Sequence, residues 1–212
     1  MEFNILSGTS MSCPHVSGAA ALLKSAHPDW SPSAIKSAIM TTASTVNKQL
    51  QPMTDESTGN ATTPYDFGAG HLNLDLAMDP GLVYDLTNQD YVSFLCSIGY
   101  GAKTIQVITR SPAACPMRRK PVPENLNYPS IAAMFSTGKK GVEAPKGVSV
   151  AVKPGKLVFS DKVRELSYYV TVRMEGTGVV MGDSGAVFGS LSWVDGKHVV
   201  RSPIVVTQLD PL

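Results

Sequence analysis

The chain predicts an α/β protein in which a layered α/β half precedes an all-β half, and three observations carry this. Two stretches near the start, Met11 to Ala26 and Pro32 to Ala43, have helical composition and spacing. From Leu126 onward the pattern changes to short runs rich in branched and aromatic residues, separated by turn signals. Between the halves, Tyr84 to Pro123 has the character of a connector, with one amphipathic pattern around Tyr91, Phe94 and Leu95. The resulting segments are 1–83, 84–123 and 124–212.

Taken in order, Phe3-Asn4-Ile5-Leu6 suits a short buried strand, Ser7-Gly8-Thr9 a turn, and Met11 to Ala26 a helix packed on most of its sides. Ser10 therefore falls at a strand-to-helix junction. There its hydroxyl can face a cleft, while unpaired N–H groups of the first turn and the helix dipole favour a negative charge beside it. Pro14 fits a first-turn position, where its missing N–H costs little. Gly18-Ala19-Ala20-Ala21 leaves little bulk, so neighbouring elements can cross closely. On spacing alone, a plain N-cap, the commonest use of Ser at a helix start, is the favoured reading of Ser10.

Ser31-Pro32 supplies an N-cap and first-turn proline for the second helix, whose Ile35, Ala38, Ile39 and Thr42 share one face. Val46 to Pro64 is polar and irregular, a surface loop. Phe67 to Met78 reads as a glycine turn into a short strand and a helix. In the β half, the expected strands are Val148 to Val152, Leu157 to Phe159, Tyr168 to Val172, Val187 to Trp193 and Val199 to Val206, with Asp195-Gly196 as a hairpin turn.

Composition narrows the function classes. The 18 basic and 17 acidic side chains nearly cancel, leaving a net charge of +1, which argues against nucleic acid or an anionic membrane as partner. Arg118-Arg119-Lys120 is the one basic cluster, and its flanking prolines suit a solvated loop. No run is long enough to span a bilayer, and Met1-Glu2-Phe3 does not open a charged-then-apolar signal peptide.

The segment Gly8-Thr9-Ser10-Met11-Ser12-Cys13-Pro14-His15-Val16-Ser17-Gly18, continuing to Lys24, is followed by His27-Pro28-Asp29-Trp30-Ser31-Pro32 and by Ile35 to Ala43. Further on come Tyr65 to Asn73, Asp79 to Asp85, Asp90 to Cys96, Leu126 to Ser130 and Trp193 to His198. Together these resemble the plant branch of the subtilisin-like serine proteases, the subtilases, over nearly the whole chain. The resemblance implies the C-terminal part of a subtilisin-like layered α/β domain followed by a fibronectin type III-like β-sandwich. It implies Ser10 as the nucleophile of a serine endopeptidase acting on peptide or protein substrates, and the Ser10 backbone N–H as one oxyanion donor.

In that family the triad runs Asp, His, Ser along the chain. A chain opening just before the serine is then expected to lack the triad Asp and His and the oxyanion Asn, and to be inactive alone. Four histidines are present as candidate bases for Ser10. His15 lies a turn and a half beyond it on a different side of the helix, and the resemblance makes it a packed helix residue. His27 ends that helix, His71 follows a Gly-Ala-Gly turn, and His198 belongs to a hairpin. All four read as structural.

No metal or organic cofactor is implied. The family's secretion implies an oxidising, extracellular setting, the apoplast or cell wall, and with it a disulfide between Cys96 and Cys115. Cys13 reads as a small buried residue. Asn60-Ala61-Thr62 is a glycosylation sequon, meaningful if the chain enters the secretory pathway. Both the family's secretion and the missing signal peptide are met if the natural start lies upstream, or if a shortened product stays inside the cell. Relatives also carry a longer stretch between Phe135 and Gly147, so the sandwich is expected to lack about two strands and to expose edges.

Two other readings compete. A non-catalytic remnant would act as a binding or dimerising module, forming a homodimer through the β half. A nucleophile-elbow hydrolase would need Gly two residues to either side of the serine, and Ser12 occupies the second position.

Overall fold

The computed structural model describes residues 4, 6–115, 121–136, 147–174 and 185–209. It divides into two compact units, Met1–Ile131 with Ser190–Pro203, and Ala132–Gly189 with Ile204–Leu212. The strand expected from Phe3 to Leu6 lies mostly outside the described residues.

The first unit is built on helix α1, Thr9–Ala26, which begins two residues earlier than its sequence pattern predicts. Gly8, at φ 133°, provides the sharp entry that a residue with a side chain rarely adopts, and its carbonyl takes the N–H groups of both Met11 and Ser12. Two corrections follow. The N-cap is Gly8, not Ser10, and Pro14 stands in the second turn, where it removes the N–H that would have bonded the Ser10 carbonyl.

Helix α2, Pro32–Thr41, starts where expected, with the Ser31 side chain accepting from the Ala34 N–H at 3.0 Å. Its Ala38 joins Leu23 of α1 and Ala77 of the short helix α4, Leu74–Ala77, in a core cluster that is fully buried. Trp30, Ile35, Ile39 and Leu74 pack around that cluster. This core covers one face of α1 only. Ala19 and Leu23 are buried, whereas Met11, Val16 and Leu22 are exposed, at 37%, 44% and 55%. The expectation of a helix packed on most sides is therefore corrected: nothing among the described residues lies over its other face.

Helix α3, Pro64–Phe67, follows the surface loop and carries a reciprocal Thr63–Asp66 capping box. The short strand expected after it is a single bridge, Ser44 to His71. Gly70, at φ 134°, passes so close to the Ser44 carbonyl that a Cβ there would overlap it. The connector holds two helices rather than one, α5 over Asn88–Ser97 and α6 over Ala102–Thr109. A second Thr-to-Asp capping box, Thr87 with Asp90, starts α5. Tyr91 of α5 meets Ser33 of α2, hydroxyl to hydroxyl at 2.8 Å, and Lys36 lies over the Tyr128 ring.

Five strands are described: β1 Ile131–Ser136, β2 Val148–Lys153, β3 Tyr169–Met174, β4 Ala186–Val194 and β5 Val199–Leu209. They form a three-stranded sheet of order β1-β5-β4 and an antiparallel β2-β3 ribbon in which Val150 faces Val172 and Val152 faces Val170. Along β5, Val200, Ser202, Ile204 and Val206 are buried at every second position, the period-2 signature of a strand with one face in a core, and Pro203 between them is buried as well. Leu157 to Phe159 is not a strand. It has the apolar, branched and aromatic composition but no strand partner among the described residues, and the nearby Ser160–Val163 bridge only closes a turn. The residues where two strands were expected to be missing, 137–146, lie outside those described.

Candidate active site

Ser10 is the second residue of α1 and is exposed. Because the Gly8 carbonyl takes the Met11 and Ser12 N–H groups, the N–H groups of Thr9 and Ser10 have no partner among the described residues. Two free donors thus sit at the positive end of an 18-residue helix, beside a hydroxyl that nothing among the described residues engages. That arrangement can hold an oxyanion forming on an acyl group attached to Ser10 Oγ.

A base is the part the described residues do not bring together with Ser10. The His15 ring donates from Nδ1 to the Met11 carbonyl at 2.7 Å, back along its own helix. It is exposed rather than packed. His27 donates from Nε2 to the Met78 carbonyl at 2.8 Å and stacks on Trp30, with ring centroids 3.8 Å apart. His71 donates to the Leu72 carbonyl, and His198 lies in the β4–β5 turn between two carboxylates. Cys13 is free and exposed, not buried as expected, because it lies on the uncovered part of α1. Among the described residues no group of three His, Cys, Asp or Glu side chains is placed to hold a metal ion.

The remaining sequence-marked positions are spread along the chain. Cys96 at the end of α5 is disulfide-bonded to Cys115, Cα atoms 5.6 Å apart, closing a loop that contains α6. Asn60 is exposed at the tip of the polar loop, where the Asp55 carboxylate accepts from the Ser57 and Thr58 N–H groups and lies below the usual carboxylate range, chiefly through the Ser57 hydroxyl. No helix is long and apolar enough to cross a membrane among the described residues.

One cluster was not anticipated from the sequence. Asp79, following α4, meets Lys197 and His198 of the hairpin turn, and Asp195 of that turn meets His198. The Asp-Gly-Lys-His string and the Asp79-Pro80-Gly81 turn are each visible in the sequence, but nothing local links two segments so far apart along the chain. Close by, Arg201 donates to the Ala69 carbonyl at 3.1 Å and Ser202 to the Tyr84 hydroxyl at 3.3 Å.

Comparison with known proteins agrees with the fold and with the Ser10 segment. The model of the subtilase family matches residues 2–70, and that of the fibronectin type-III domain matches residues 136–206. Subtilisin-like protease SBT1.6 of Arabidopsis thaliana is 60% identical over 235 positions, covering 100% of this chain. SBT1.5 of the same plant is 46% identical over the same length, and subtilisin-like protease SBT3 of Solanum lycopersicum is 40% identical over 98% of the chain. The chain belongs to the plant subtilisin-like protease family, with subtilase residues followed by a fibronectin type III domain. It spans 31%, 30% and 30% of the length of these three relatives. The first alignment is longer than the chain's 212 residues, so that relative carries residues with no counterpart in this chain.

Proposed function

We propose that Ser10 is the acyl-forming nucleophile of a plant serine endopeptidase when the rest of the catalytic domain is present, and that these 212 residues alone do not cut. Ser10 Oγ attacks a peptide carbonyl, its proton passes to a histidine supplied by sequence upstream, and the tetrahedral oxyanion rests on the Ser10 N–H and an upstream Asn. Collapse expels the amine as it takes the proton from that histidine, and water then releases the acyl group. The observation that supports this most is the Ser10 N–H at the head of α1, without a partner among the described residues and inside the segment the subtilase model matches. The disulfide fits an extracellular site of action.

The test joins this chain to the upstream part of SBT1.6, its 60% identical relative. The chimera should hydrolyse peptides, and Ser10→Ala should lower kcat by about 10⁶, the magnitude known for subtilisin itself, a relative of this chain, and carried over from that enzyme. Retained hydrolysis in the Ser10→Ala chimera would overturn the assignment. A second reading, a module that binds or dimerises through its β half, draws on the β2–β3 ribbon, where Tyr169 is 76% exposed and Val150 40%. It predicts a concentration-dependent dimer that persists in Ser10→Ala, read by sedimentation.

A further inference from the structure

The β4–β5 turn is held on the Asp79-Pro80-Gly81 turn by a cluster with two carboxylates and one permanent cation. Asp79 and Asp195 supply the carboxylates, and Lys197 pairs with Asp79. His198 completes the cluster. Its Nδ1 lies 2.8 Å from Asp195 Oδ2, and its Nε2 lies 3.1 Å from Asp79 Oδ2, too poorly aligned for a directed hydrogen bond and so dependent on charge. The side chain is 19% exposed against 61% for each carboxylate. Gly81, at φ 81°, has no room for a side chain, since a Cβ there would stand 2.7 Å from the His198 Cβ.

We propose that His198 is a pH-operated latch: protonated, it bridges Asp79 and Asp195 and holds the hairpin turn on the Asp79–Gly81 turn, and on losing its proton it releases that hold. A neutral imidazole has one N–H. With that proton on Nδ1 toward Asp195, the Nε2 lone pair faces the Asp79 carboxylate, and the cluster carries a net negative charge. Protonation keeps the hydrogen bond to Asp195, puts a positive charge against Asp79 and brings the cluster to neutrality. The groups facing the ring are Asp195 from its own turn and Asp79 from the turn after α4; Lys197 reaches it only through Asp79. Arg201, further along β5, is turned to the Ala69 carbonyl.

The direction of the titration follows. Asp195 first, then Asp79, raises the His198 pKa above its ordinary value, while Asp79 is lowered chiefly by Lys197 and Asp195 chiefly by His198. The raised histidine stabilises the closed latch fully below its unfolded pKa of about 6.5, and this stabilisation is lost as pH rises through the higher folded value. The lowered carboxylates set the acid limit: their contribution is present above about 3.9 and disappears as pH falls through their depressed folded values.

The experiment is an NMR titration of the His198 ring in the full chain from about pH 5 to about pH 9, with amide exchange of residues 195–201 corrected for intrinsic rates. The latch predicts a His198 pKa above about 6.5 and hairpin opening that increases about tenfold for each unit of that elevation. His198→Gln should expose these amides at every pH. Asp79→Asn, which leaves the histidine to report, should lower its pKa. A His198 that titrates at its ordinary value, Asp79→Asn without effect on it, or hairpin exchange that is flat across this range would overturn the proposal.

Discussion

At the scale of single residues, Ser10 and His15 show how far local sequence reaches. Ser10 stands at the head of a helix because Gly8 adopts φ 133° and turns the chain into α1 there. The serine's place at a helix start is legible from the turn residues around it. The offset of two residues is not, since Gly-Thr-Ser carries no sharper start signal than Met-Ser-Cys. His15 is separable from Ser10 by helical spacing, and its bond to the Met11 carbonyl gives the ring a partner of its own. The exposure of Cys13 escapes the sequence because burial depends on what lies over α1, which no local pattern states. Gly70 is a position where a single atom decides. Gly70→Ala would force a Cβ onto the Ser44 carbonyl at a φ that L-residues avoid, and should cost about 1–3 kcal/mol, read as a lower denaturant midpoint with an unchanged slope.

Elements differ in how much of their logic is local. Helix α2 is readable because Ser31-Pro32 is both cap and first turn, and the structure uses it so. Helix α6 is not. Its Ala-Lys-Thr-Ile-Gln-Val-Ile-Thr sequence is β-branched, with low helix propensity, and only Ile105 is buried. A propensity argument likewise favours a strand at Leu157 to Phe159, where no partner among the described residues pairs it. The core joining α1, α2 and α4 rests on Leu23, which is wholly buried, so Leu23→Ala should destabilise the chain by about 2–5 kcal/mol in chemical denaturation. Replacing Cys96 and Cys115 together by Ser should cost about 3 kcal/mol in the chain-entropy picture for a loop of this span, measured against the oxidised protein. Loss should appear first as faster exchange in α6.

On the scale of the whole molecule, chain order and spatial grouping part company. Ser190–Pro203 belongs with the first unit although it lies within the β half in sequence, and Arg201, Ser202 and His198 hold it there through Ala69, Tyr84 and Asp79. Residues 124–212 expressed alone would lose those partners along with the N-terminal half. They should therefore melt broadly and at low temperature, or aggregate, and a cooperative high-temperature transition in calorimetry would speak against this. The α/β-then-β order is visible in composition, whereas the return of the hairpin to the first unit depends on contacts that no periodicity encodes. The catalytic assignment is likewise a property of the larger whole. Under the proposed function the Ser10 N–H is the oxyanion donor, and the base comes from outside the described residues.

The central claim is that Ser10 is a nucleophile without a base within these residues, and fluorophosphonate labelling of the folded 212-residue chain, read by intact mass beside Ser10→Ala, tests it most directly. The account predicts no adduct on the chain alone. An adduct that disappears in Ser10→Ala would mean that a base is recruited from within the chain, contradicting the structural roles of His15, His27, His71 and His198.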